Sequence, residues 1–125
     1  MQLIIDVGNT RVKTAVFNGD VLQAWHHFLL EDFIEEVKEF VGLYPVKKAI
    51  ISSVGRLSEE QARSVQLRFP TVILSHKTPL PFKNDYSTPH TLGVDRIALV
   101  SAFAKAYPKK NGLIIDAGTC ITYDF

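Results

Sequence analysis

Residues 3–10 read LIIDVGNT and residues 113–120 read LIIDAGTC. Each is a short apolar run, rich in β-branched residues, that delivers an Asp and then a Gly: the pattern of a buried strand running into a turn. Apolar strands ending in Asp are common, so chance recurrence is the plain alternative. A shared LIIDxG at a domain-sized offset, each copy followed by Thr within two residues and then by strand-like sequence, favours a duplicated unit.

Between the two copies the pattern is that of an α/β chain. Residues 11–17, RVKTAVF, alternate in character; Asn18-Gly19 is a hairpin signal, and VLQAWHHF follows as a returning strand. Three strands therefore open the chain as an antiparallel meander. From Glu31 to Val41 the apolar residues Phe33, Ile34, Val37, Phe40 and Val41 fall at helical spacing, with Gly42 placed to cap the end. Lys48 to Ile51 reads as a strand. Ser58-Glu59-Glu60-Gln61 is a capping box opening a helix that stops before Pro70, and Thr71 to Leu74 gives another strand. Residues 76–93 hold three prolines and no sustained periodicity, the mark of a functional or disordered loop. Residues 95–107 return to helical spacing and end at Pro108. The expected order is β-β-β-α-β-α-β-α followed by a fresh β-β, a mixed sheet covered by helices. Residues 1–110 are then the first domain, and residues 111–125 open a second.

Composition bounds the function. A formal net charge of +1, from 14 Lys and Arg against 13 Asp and Glu, gives no electrostatic case for nucleic acid or an anionic membrane. Cys120 is the single cysteine, which excludes a disulfide framework and suits a reducing compartment, the cytoplasm by default. MQLIIDVGNT has neither a basic n-region nor an apolar h-region, so no signal peptide is expected. No apolar run approaches the ~20 residues of a membrane-spanning helix.

Three motifs carry chemistry. In Asp6-Val7-Gly8-Asn9-Thr10-Arg11-Val12-Lys13 a strand ends in an acid, Gly8 lets backbone approach a ligand, Asn9 and Thr10 offer short polar groups, and Lys13 adds positive charge. These are the parts of a phosphate-holding hairpin. Asp6 beside phosphates makes sense with Mg²⁺, directly or through its waters, between them. Asp, Gly and Asn are also ordinary turn formers; the second copy tips the balance toward phosphate. No G-x-x-x-x-G-K-[ST] or G-x-G-x-x-G loop occurs in the chain. In the second motif, Asp116-Ala117-Gly118-Thr119, Gly118 and Thr119 suit phosphates from the far side of a cleft and Asp116 suits a cation. The third is Thr91-Leu92-Gly93-Val94-Asp95-Arg96, at a helix start. Arg96 has the planar fork that binds a carboxylate, and Asp95 can accept a proton from an attacking hydroxyl. Helix-start Asp is common, so without further context the plainer reading leads: Asp95 only caps the helix and Arg96 is a solvated surface charge.

DVGNTRVK, LGVDR and DAGTCITYDF, in this order and spacing, resemble type III pantothenate kinase, of the superfamily that includes actin and the sugar and acetate kinases. The resemblance covers the chain from Met1 to Phe125, and corresponds to the family's first domain with the opening hairpin of its second. It implies ribonuclease-H-like (actin-like ATPase) domains and ATP-dependent phosphorylation of pantothenate, the first step of coenzyme A synthesis. It assigns Asp6, Val7, Gly8, Asn9, Thr10, Arg11, Val12 and Lys13 to the first ATP motif and Thr119 to the second ATP contact. Pantothenate falls to Tyr86, Gly93, Val94, Asp95 and Arg96, with Asp95 as proton acceptor. Asp116 becomes the ligand of a monovalent cation, K⁺ or NH₄⁺, beside Mg²⁺ and ATP, and the enzyme a cytoplasmic homodimer. Residues 1–125 alone are expected to lack the adenine site, and hence activity.

Two rivals remain. A regulatory relative acting in transcription lacks support from any helix-turn-helix signature or basic face, and a kinase of the same superfamily for another substrate is disfavoured by LGVDR. His26-His27 are adjacent on a strand and face opposite ways, against a shared metal. Trp25, Phe33 and Phe40 read as core, and Cys120 as a small buried residue.

Overall fold

The computed structural model describes residues 1–125. They divide into two compact units, Met1–Leu74 and Ser75–Phe125.

In the first unit, strands β1 (Gln2–Val7), β2 (Val12–Asn18), β3 (Val21–Phe28), β4 (Lys48–Ser53) and β5 (Thr71–Ile73) form one mixed sheet in the order β3-β2-β1-β4-β5. β1 is its axis, antiparallel to β2 and parallel to β4, so the hairpin that follows β1 sits at the end of the central strand. The alternation of β1 decides which way it faces: Leu3, Ile5 and Val7 are fully buried, while Ile4 and Asp6 are half-buried on the other side. A one-residue slip would turn that apolar set out of the core, which pins the register. The β2–β3 connection is a two-residue loop in which Gly19 takes φ +61°, a left-handed conformation that costs Gly little.

Helices α1 (Phe33–Gly42) and α2 (Glu59–Gln66) supply Phe33, Val37, Phe40, Val41 and Val65 to the same core as Leu3, Ile5, Val7, Val12, Val16 and Ile51. A turn of 3-10 helix at Leu30–Asp32 leads into α1, and its acidic residues suit a helix start. α2 opens with the capping box read from the sequence: Gln61 N–H donates to Ser58 Oγ at 3.1 Å, and Ser58 N–H donates to Gln61 Oε1 at 2.9 Å. Gly42 departs from expectation. It is the last helical residue, and Leu43 follows in right-handed conformation, so α1 ends through the Leu43 and Tyr44 amides donating to the Phe40 and Val41 carbonyls.

In the second unit, α3 (Val94–Ala106) packs against the hairpin β6 (Ile114–Ala117) and β7 (Ile121–Asp124). The long segment before α3 forms no strand, and only Pro89–Thr91 makes a 3-10 turn. Within the hairpin, Asp116 pairs with Thr122 and Ile114 with Asp124; Ile115, Ala117, Ile121 and Tyr123 lie on the opposite, exposed face.

Two expected core residues are not core. Trp25 is 65% exposed on edge strand β3, where it stacks on His27, since its position on the strand sends it to the face away from α1. Cys120 sits in the β6–β7 turn and is exposed, because a turn tip has no layer above it.

Candidate functional site

The first hairpin turn is closed by Gly8 N–H donating to the Arg11 carbonyl at 3.1 Å, and a Cβ on residue 8 would stand 3.3 Å from that oxygen. A side chain there would crowd the oxygen, and the turn would have to open by a few tenths of an ångström to admit it. Asn9, Thr10 and Arg11 are exposed at the tip. The Val7 and Val12 side chains are both buried in the core, so these residues can offer a ligand only backbone. Asp6 and Lys13 are cross-strand partners at the base of the turn. Arg56, in the loop after β4, donates through Nη1 to the Asn9 carbonyl. No local motif marks Arg56, which lies 47 residues from Asn9 in sequence. Gly8, Asn9, Thr10, Glu31 and Arg56 border a small cavity of about 200 Å³.

The second hairpin repeats this closure. Gly118 N–H donates to the Cys120 carbonyl at 3.1 Å, and Thr119 is exposed at the tip. Two buried side-chain oxygens lack a hydrogen-bond partner, Ser52 Oγ and Thr122 Oγ1. Ser52 is the β4 neighbour of Asp6, and Thr122 the β7 neighbour of Asp116. Each strand-end acid therefore has an orphan hydroxyl in register beside it.

At the start of α3, Gly93 is the N-cap with φ −57°, an ordinary value. What the glycine leaves room for is the Asp95 carboxylate, which folds back over it. Asp95 Oδ1 accepts the Arg96 backbone N–H at 2.9 Å, one of the amides a helix start leaves without a partner. Arg96 turns toward Tyr86 and β7. Its Nε donates to Asp124 Oδ2 at 3.0 Å, its Nη2 donates to Asp124 Oδ1 and to the Tyr123 carbonyl at 3.3 Å, and its Cζ lies 5.2 Å from the centre of the Tyr86 ring. The Arg96 and Asp124 side chains are only 19% and 16% exposed. The hydrogen bond to Asp124 raises the Arg96 pKa still further, with burial acting against it. Arg96 thus stays charged while sheltered from water.

Tyr86, Leu92, Arg96, Val100, Asp124 and Phe125 border a cavity of about 380 Å³, within the size range of small-molecule sites. A larger one, about 540 Å³, is lined by Glu31, Asp32, Glu35 and Glu60 with Lys38. Their chemistry differs: the larger is dominated by four carboxylates with one lysine, whereas the smaller sets Lys83 and the sheltered Arg96 against Asp85 and Asp124 beside the Tyr86 ring. Tyr86 and Arg96, separate in sequence, are brought together as a pair. No local pattern in the sequence singles out Asp124, whose grip on Arg96 spans 28 positions.

A mixed α/β chain with two Asp-x-Gly hairpins and an arginine secured at a helix start is the class these features define. The family model described as Type III pantothenate kinase matches residues 2–125, and the chain belongs to that family. A relative from Christiangramia forsetii, named Type III pantothenate kinase, is 49% identical over 125 residues, covering 99% of this chain and 51% of its own. A Flavobacterium psychrophilum protein of the same name is 41% identical over 126 residues, covering 100% and 52%. One from Aquifex aeolicus is 34% identical over 122 residues, covering 98% and 49%. The chain spans about half the length of these curated relatives. No helix of the structure is long and apolar enough to cross a membrane.

Proposed function

We propose that the complete protein transfers the γ-phosphoryl group of ATP to the primary hydroxyl of pantothenate, and that residues 1–125 hold its pantothenate-binding helix start and its phosphate hairpins. The observation that carries this reading is the Arg96 guanidinium, charged, sheltered and stacked near Tyr86, one residue from the carboxylate of Asp95. Membership of the family supports it.

Arg96 and Tyr86 bind the carboxylate end of pantothenate, and Gly93 and Val94 offer backbone at the helix start. Asp95 spends Oδ1 on the Arg96 amide, and Oδ2 is the oxygen that accepts the substrate's hydroxyl proton. The Gly8–Arg11 turn and Lys13 hold phosphates from one hairpin, and Thr119 from the other. The donor sets fit hard cations: Asp6 with Ser52 beside it suits Mg²⁺ through water, and Asp116 with Thr122 beside it suits K⁺ or NH₄⁺. When bound, these ions neutralise phosphate charge, and ATP supplies the phosphoryl group. The chain's own part is to orient the hydroxyl, take its proton and line up donors.

The architecture proposed is a ribonuclease-H-like, actin-like first domain over residues 1–110, with residues 111–125 opening a second. The repeated LIIDxG supports it, as does the exposed apolar face of Ile115, Ile121 and Tyr123, which a further layer would cover. On this reading the catalyst is a cytoplasmic homodimer, and residues 1–125 by themselves do not turn over. Incubating the complete gene product with ATP, Mg²⁺, K⁺ and pantothenate should yield 4′-phosphopantothenate. ATP consumption with a different acceptor only, or no transfer at all, overturns the assignment in favour of another superfamily kinase or a regulatory role.

A further inference from the structure

We propose that Asp124 is a positioning residue that sets pantothenate recognition by fixing the orientation of Arg96. This rests on the reading of Arg96 as the carboxylate-binding group. A free guanidinium offers a carboxylate two parallel N–H donors, and here the Nε–Nη2 edge is already taken by the two oxygens of Asp124. Nη2 also donates to the Tyr123 carbonyl. Nη1 is the one nitrogen bonded to neither, so a ligand carboxylate meets the Nη1 side of the group, along the flank of Tyr86.

Asp124 has two opposed effects. Its charge offsets that of Arg96 and weakens attraction for an anion. Its two hydrogen bonds also hold a long, rotamer-rich side chain in one pose before the ligand arrives, so that binding does not have to order it. The pair is mostly sheltered and its geometry is that of a fork on a fork, so the second effect prevails. The placement follows from β7: Asp124 lies on the same face as Thr122 and pairs with Ile114, on the side that α3 covers.

The test uses the complete gene product and two substrates: pantothenate, and the analogue in which CH₂OH replaces the carboxylate while the reacting hydroxyl is kept. In Asp124→Ala the KM for pantothenate should rise about tenfold or more, with kcat within roughly threefold and the KM for the alcohol analogue little changed. Asp124→Asn keeps one acceptor and the side-chain shape; it should fall between parent and Asp124→Ala, and it carries the test should the alanine variant melt early. In an Arg96→Ala background, Asp124→Ala should add nothing. An unchanged or lower pantothenate KM in both Asp124 variants overturns the proposal, as does an equal rise for both substrates, which would mark Asp124 as merely structural. If Arg96→Ala itself leaves the pantothenate KM unchanged, or the parent transfers nothing to pantothenate, the reading of Arg96 falls and this proposal with it. A rise with Arg96→Ala but none with the Asp124 variants removes this proposal alone.

Discussion

The carboxylate of Asp95 folds over the α-carbon of Gly93, and a Cβ added at residue 93 would collide with Asp95 Oδ1. Because Gly93 has φ −57°, alanine fits its backbone without strain, and the collision is the whole effect. Gly93→Ala should therefore move the proposed base while leaving the helix intact. Steady-state kinetics of the complete protein should show kcat lowered by roughly ten- to a hundredfold, with a melting temperature near that of the parent. An unchanged kcat would mean that this carboxylate position does not matter.

Asp95→Asn tests the base more directly. The amide oxygen can still accept the Arg96 backbone N–H, so the helix start keeps its closing bond. What is lost is the ability to take a proton. We expect kcat to fall by about 10²–10⁴ with the pantothenate KM within a few-fold of the parent. Turnover within a few-fold of the parent would remove Asp95 from the chemistry.

Arg96→Lys should behave nearly as badly as Arg96→Ala. Lysine keeps the charge but cannot hold Asp124 along one edge while facing Tyr86 with its plane. Loss of a charged hydrogen bond is worth about 1.5–3 kcal/mol, so the pantothenate KM should rise by roughly ten- to a hundredfold in both variants. If Lys restores the parent KM, charge alone is what the site requires.

The hairpins and the α2 capping box were legible in the sequence because each is local: an Asp-x-Gly after an apolar run, or Ser58 three residues before Gln61. The burial of Val7 and Val12 follows from period two in the same way. The Arg96–Asp124 pair and the Arg56–Asn9 bond were not legible, since they join residues 28 and 47 positions apart and no local pattern reports them. Trp25 misled through composition. A large aromatic on a strand suggests core, but on an edge strand alternation sends every second side chain to the face that α1 does not cover.

Gln61 separates local from tertiary stabilisation. Helix-local reasoning treats Glu and Gln as equivalent at the third position of a capping box, so Gln61→Glu should be neutral. The structure says otherwise. Gln61 Oε1 accepts from Ser58, while Nε2 donates to the Leu30 carbonyl at 2.9 Å, tying α2 to the turn that precedes α1. Glutamate keeps the first bond and loses the second, and it adds a charge beside Glu31, Asp32 and Glu60. Ser58→Ala should cost about 1 kcal/mol. Gln61→Glu should cost about 1–2 kcal/mol at neutral pH, with the charge-repulsion part of that loss shrinking in added salt. Thermal and urea melts of both variants, at low and high ionic strength, give the comparison. If Gln61→Glu proves as stable as the parent at low salt, the bond to Leu30 contributes nothing to holding α2 in place.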